Sequence, residues 1–83
     1  MFMNVIENIV NRVLEDYGMK AELIGVGVNG VYVSWVFKDS LGNDFVISYN
    51  DLTDTIYVNY IERIAKLIIK EMRKHIMFWR KRE

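Results

Sequence analysis

The apolar positions follow three successive spacing patterns along the chain. Between residues 4 and 17 they recur at helical intervals. Phe2, Met3, Ile6, Ile9, Val10, Val13, Leu14 and Tyr17 fall within an arc of about 140° on a helical wheel. Asn8, Asn11, Arg12, Glu15 and Asp16 take the other side. Asn4 followed by Glu7 has the spacing of a capping box, and Gly18 supplies a left-handed stop. From residue 20 the period becomes two. Segments 20–29 and 31–38 alternate around Asn29-Gly30, a strong hairpin signal. A two-residue turn there sets Val28 against Val31, Val26 against Val33, Ile24 against Trp35 and Glu22 against Phe37. Asp39-Ser40-Leu41-Gly42-Asn43 is a second turn. Pairing Lys38 with Asp44 across it sets Phe37 against Phe45, Trp35 against Ile47 and Val33 against Tyr49. This register collects the large apolar side chains of three strands on one face.

The third pattern is helical again. Asp51 and Asp54 read as N-cap and first-turn acids of a long final helix. Tyr57, Tyr60, Ile61, Ile64, Ala65, Leu67, Ile68, Ile69, Met72, Ile76, Phe78 and Trp79 cover an arc of roughly 220°, wider than one sheet face can bury. Residues 55–60 also alternate and are β-branched and aromatic, so they fit a fourth strand as well. The wheel keeps Asn59 polar and both tyrosines apolar, which favours the helix. The expected fold is a single α+β domain over residues 1–83. Its order is α-β-β-β-α, a three-stranded antiparallel meander with both helices on one face. The expected core joins Ile24, Val26, Val33, Trp35, Phe37, Phe45 and Ile47 to Ile6, Ile9, Val13, Ile61, Ile64 and Ile68.

Composition changes this picture in three ways. At 83 residues the core is thin, so help from a second copy is expected. A homodimer would bury part of Leu67, Ile69, Ile76, Phe78 and Trp79, or the second face of the sheet. Cysteine is absent, which rules out disulfides and thiolate metal sites and fits a reducing, cytoplasmic setting. No long uncharged apolar run exists, so no membrane span is expected, and the first residues lack the basic stretch of a secretory signal. The zero net charge hides a division. Residues 55–83 hold eight of eleven basic groups and three of eleven acids, a balance of +5, and residues 1–54 are −5.

Candidate chemistry is sparse. Glu71 and His75 stand four apart within the apolar arc, the spacing of a carboxylate that orients a histidine. No nucleophile or further ligand accompanies them, so a structural pair is expected, with no metal, no cofactor and no catalytic residue. Gly25-Val26-Gly27-Val28-Asn29-Gly30 looks like a phosphate loop, but a strand follows it where a helix N-terminus is needed. The second sheet face, Leu23, Gly25, Gly27, Tyr32, Ser34, Val36, Val46 and Ser48, is small and smooth. It reads as a solvent face or a contact platform. The tail joins Phe78 and Trp79 to cations. With Lys74, Arg80, Lys81 and Arg82 it forms a basic patch suited to nucleic acid or an anionic surface.

The strand order and the segment Gly42-Asn43-Asp44-Phe45-Val46-Ile47-Ser48 resemble the small phage-borne anti-CRISPR proteins that inhibit Cas9. The order helix, strands, helix is also that of double-stranded RNA-binding domains. Their second helix opens on lysines, whereas Asp51-Leu52-Thr53-Asp54 stands here. The anti-CRISPR resemblance implies a phage or mobile-element inhibitor acting in the host cytoplasm. Its partner would be a host protein such as a nucleic-acid enzyme, met through acidic groups. The expected contact residues are Asp39, Asp44, Asp51 and Asp54, anchored by Tyr32 and Leu41. They are expected to outweigh Arg80, Lys81 and Arg82. The alternative function, binding nucleic acid or an anionic surface, inverts that ranking.

Overall fold

In a computed structural model, the backbone of residues 2–82 and the side chains of residues 5–76 are described. Helix α1 (Phe2–Glu15) is followed by strands β1 (Ala21–Asn29), β2 (Tyr32–Asp39), β3 (Asp44–Asn50) and β4 (Thr55–Asn59), then by helix α2 (Glu62–Arg82). The sheet is an antiparallel meander in the order β1-β2-β3-β4. The two helices pack together, α1 beside β1 and α2 beside β4.

Helix α1 follows its apolar spacing. Ile6, Ile9, Val10, Val13 and Leu14 are buried. Gly18, at φ 68°, turns the chain as expected, with the Met19 N–H donating to the Leu14 carbonyl. The helix begins at Phe2, so Asn4 lies inside it and is not its N-cap; the Asn4 side chain itself lies outside the described residues. Glu7 instead accepts from the Leu23 N–H at 3.3 Å. Asn11 brackets Ala21, donating to its carbonyl at 2.9 Å and accepting from its N–H at 2.8 Å. Two side chains of α1 thus act as a partial fifth strand along the first half of β1.

The β2–β3 pairing is the expected one, from Lys38 opposite Asp44 to Val33 opposite Tyr49. The β1–β2 pairing is not. Asn29 pairs with Tyr32, Val28 with Val33 and Val26 with Trp35, a register shifted by two residues. The turn explains the shift. Gly30 has φ 62° while Asn29 and Val31 keep negative φ, so Gly30 is the first central residue of a type II′ turn. A second departure is a bulge between Leu23 and Gly25. One extra residue resets the alternation. Leu23 therefore moves to the core side opposite Phe37, not to the second face, and Ile24 is left half exposed.

The larger correction lies in residues 55–60. They form β4, making four strands, and α2 starts only at Glu62. Pairs Ile56–Tyr49 and Val58–Ile47 are buried on the core side, while Tyr57 faces away. Asp51 and Asp54 consequently sit in the β3–β4 turn and do not cap the helix. That turn is built by Asn50, whose Oδ1 accepts from Leu52 and Thr53 N–H groups at 2.9 and 3.1 Å. Losing residues 55–61 narrows the apolar arc of α2, and Ile76 is buried within the single chain. Of the expected dimer residues on α2, Leu67 and Ile69 remain part exposed, and the side chains of Phe78 and Trp79 lie outside the described residues.

The core joins one sheet face to both helices. Trp35, Phe37, Phe45, Ile47, Ile56 and Val58 pack against Ile6, Ile9, Val13, Ile64, Ile68 and Met72. Phe37 stacks on Phe45 with centroids 5.2 Å apart, and Phe45 on Tyr60 at 4.0 Å. Of the expected core, Ile24, Val26 and Ile61 are instead exposed, at 49%, 41% and 55%. The helices do not cover the far part of the β1–β2 hairpin, where Val28 is 75% exposed.

Truncating Trp35 or Phe45 to alanine should destabilise by about 3–5 kcal/mol. Val28→Ala should stay within about 0.5 kcal/mol of the parent. Urea unfolding measures all three. Equal losses for Val28→Ala and Phe45→Ala would contradict this register.

Candidate functional site

The residues expected to bind a partner occupy opposite ends of the sheet. Tyr32, Asp51 and Asp54 lie at the end that carries the β1–β2 and β3–β4 turns. Asp39, Leu41 and Asp44 lie at the other. Strand β3 separates the groups by roughly 20 Å.

Asp39 does not belong to an exposed acidic surface. It is 5% exposed and held by three donors. Its Oδ1 accepts from the N–H groups of Leu41 (3.0 Å) and Asn43 (2.8 Å), and its Oδ2 from the Tyr60 hydroxyl at 2.6 Å. The Tyr60 bond is the main reason its carboxyl titrates below the usual carboxylate range. The turn N–H groups add to it, against the opposing effect of burial. Burial, followed by the neighbouring Asp39 carboxylate, pushes the Tyr60 phenol upward.

The other acids are partly engaged as well. Asp44 pairs with Lys38 at 3.2 Å on the surface. Asp54 adopts a left-handed backbone, φ 56°, which aspartate tolerates better than most residues. It receives the Tyr49 hydroxyl at 2.9 Å and forms an ion pair with Arg73 at 3.1 Å. The Arg73 guanidinium also donates to the Asp54 carbonyl at 2.8 Å, tying α2 to the turn. Asp51 and Leu41 are exposed.

The residues that do gather lie on the sheet face turned away from the helices. Tyr32 on β2 and Tyr57 on β4 rise 50% and 61% exposed on either side of Ser48 and Asn50 of β3. With Thr53 and Thr55 they enclose a shallow depression of about 500 Å³. Beyond it the face is low. Val36 and Val46 are half buried, Gly25 and Gly27 carry no side chain, and the Ser34 and Ser48 hydroxyls bond each other at 2.9 Å. Among the described residues the charges on this face gather at its far end, where Glu22 lies opposite Lys38, itself paired with Asp44, with Lys20 beside them. Tyr57 and Thr55 are not among the expected contact residues, because a helix over residues 55–60 places them elsewhere, whereas they lie on β4. The alternation of Ile56 and Val58 with Tyr57 was the available signal.

The cations belong to the other layer. Arg63, Lys66 and Lys70 are exposed along α2. Lys66 meets Glu62 at 3.4 Å, and Lys74 meets Glu71 at 3.1 Å. Lys74 Nζ donates to the Glu71 carboxylate, and that bond chiefly lowers the Glu71 pKa. His75 stands half buried one turn on. The side chains of Arg80, Lys81 and Arg82 lie outside the described residues. Among the described residues no group of three metal-ligating side chains converges, and no helix is long and apolar enough to cross a membrane.

The chain matches no family model, no curated protein and no solved structure.

Asp39 gives a pH prediction. Its folded pKa is depressed, so the folded state holds fewer protons than the unfolded chain. Its stabilisation is complete above the unfolded value of about 3.9 and fades as pH falls through that value and then the lower folded one. Asp39→Asn should lose about 1–3 kcal/mol at pH 7. It should also show a flatter decline in melting temperature below pH 4 than the parent. Parallel declines in the two proteins would show that Asp39 does not carry this pH dependence.

Proposed function

We propose that this chain is a non-enzymatic binding module that presents the open face of its sheet to a partner protein. The observation that carries the reading is a four-stranded sheet with an uncovered, nearly uncharged face bearing two exposed tyrosines. Aromatic side chains over small residues supply large contact area at low conformational cost, and tyrosine is enriched where partners bind tightly. Asp51, in the turn beside Tyr32, is placed to steer a cationic partner to this end. A nucleic acid laid on the same face would find stacking rings but few cations for its phosphates: among the described residues Lys38, paired with Asp44, and Lys20 stand at the end away from the tyrosines.

Inhibition of a host protein by a phage or mobile-element product is the specific form of this reading. It draws on the resemblance of residues 42–48, which run from the β2–β3 turn into β3. The acidic mechanism is revised from the expectation. Asp39 is committed to the turn and Asp44 lies at the far end, so contact rests on Tyr32, Tyr57 and the β3–β4 turn.

A photo-crosslinking amino acid placed at Val46 or Tyr57, in cells that express the chain, should trap a discrete protein adduct. The same group at Lys66 or Lys70 should not. Tyr32→Ala and Tyr57→Ala should each weaken the trapped complex at least tenfold, about 1.4 kcal/mol. Both should leave the melting temperature nearly unchanged, because the rings are exposed. Adducts formed with nucleic acid alone, from α2 positions, would overturn the proposal and favour the basic helix as the binding element.

A further inference from the structure

The first half of β1 is sealed along its free edge and the second half is bare. Ala21 and Leu23 direct their outer backbone groups to Asn11 and Glu7 of α1. Past the bulge, Asn29 and Tyr32 flank a two-residue turn and therefore exchange hydrogen bonds across the hairpin. Alternation along the strand then makes 27–34 a bonded pair and leaves 26–35 and 28–33 unbonded. The N–H and C=O groups of Val26 and Val28 consequently point outward, away from β2, with no partner among the described residues. Natural edge strands are blunted by charge, proline or a covering element. No charged residue and no proline occurs between Leu23 and Phe37.

We propose that residues 25–29 pair antiparallel with the same segment of a second copy, about a two-fold axis through Gly27. This register joins all four outward groups. The Val26 N–H and C=O meet those of Val28 in the partner copy, and the reverse pair follows by symmetry. It also sets Val26 against Val28 across the seam, covering side chains that are 41% and 75% exposed in the single chain. On the other face the seam carries Gly25, Gly27 and Asn29, so no side chains collide at the axis. A shift by one residue would pair outward groups with inward ones, and a shift of the centre to Val26 or Val28 would leave outward groups unmatched. The pairing has natural limits. It ends at the Gly30 turn on one side and at the segment already occupied by Asn11 and Glu7 on the other. Self-pairing brings no like charges together, because the segment has none. The surface is distinct from the open face proposed for the partner protein.

The test uses the absence of cysteine. In antiparallel pairing, residue 27 meets its own copy at an unbonded position, where Cα atoms lie about 4.5 Å apart. That spacing falls within the range of a disulfide. A Cβ added at Gly27 meets nothing within 4 Å, so Gly27→Cys leaves the single chain undisturbed. Mild oxidation should convert most of Gly27→Cys to a covalent dimer, and Leu67→Cys, on α2, should cross-link at least tenfold more slowly. Light scattering of the parent should show the mass doubling between micromolar and millimolar concentration. Val28→Lys, at an exposed position, should abolish that doubling and melt within a few degrees of the parent. A parent that stays monomeric up to millimolar concentration would overturn the proposal. So would a dimer that survives Val28→Lys, or equal cross-linking at positions 27 and 67.

Discussion

The bond between the Tyr60 hydroxyl and the buried Asp39 carboxylate fixes where the sheet ends and the last helix begins. A buried carboxylate is costly unless donors surround it. Here two N–H groups of the β2–β3 turn and one phenol do so. The phenol comes from the link between β4 and α2, 21 residues further along. Satisfying Asp39 therefore pins that link against the turn. The Ser40 N–H donates to the Lys20 carbonyl, and the Lys20 N–H to the Ser40 hydroxyl, so the α1–β1 loop is tied to the same end. Tyr60 also stacks on Phe45, which joins the polar anchor to the core. With Tyr60 held there, the preceding residues run extended beside β3, and the helix starts after them.

This explains what the sequence made legible and what it did not. The β2–β3 register could be read directly, because Phe37, Trp35 and Val33 face Phe45, Ile47 and Tyr49 in only one alignment that buries them all. The apolar arc of α1 was legible for the same reason. The β1–β2 register was not, since alternating valines and glycines look alike after a shift of two residues. The Gly30 turn geometry and the Leu23–Gly25 bulge decided it. Residues 55–60 satisfy both the helical and the strand period. The arbiter was Asp39, a long-range polar contact that local spacing does not contain. The same contact removes Asp39 from the surface, so an acid that looks like a recognition group in the sequence is a structural one. The open face was legible as a smooth platform from Tyr32, Ser34, Val36, Val46 and Ser48, but its second tyrosine required β4.

The basic end of the chain falls in the helical layer, which it shares with the α1 acids Glu7 and Glu15. The exposed cations Arg63, Lys66 and Lys70 ride on α2, on the helical side of the sheet. The opposite face is nearly neutral. Arg73 crosses from α2 to Asp54, where an ion pair and a carbonyl hydrogen bond hold the β3–β4 turn that borders the tyrosine depression. The pair is part exposed, so its direct contribution is small. Its effect is to position: the left-handed Asp54 backbone is anchored from the helix layer, and the rim of the open face inherits that anchor.

The two bare surfaces of the sheet bear on each other. Pairing through Gly27 would continue β1 of one copy into β1 of the next, giving eight strands with one uninterrupted open face. Each copy would contribute a Tyr32–Tyr57 depression to that face, related by the two-fold axis. A partner offering two equivalent contacts would then bind with an effective concentration set by a rigid sheet, and its overall affinity would exceed that of one depression without any new contact. A partner offering one would gain nothing from the pairing. The dependence of binding on the Val28→Lys substitution, on the opposite face of the sheet from Tyr32 and Tyr57 and outside the depression, therefore distinguishes a bivalent target from a monovalent one.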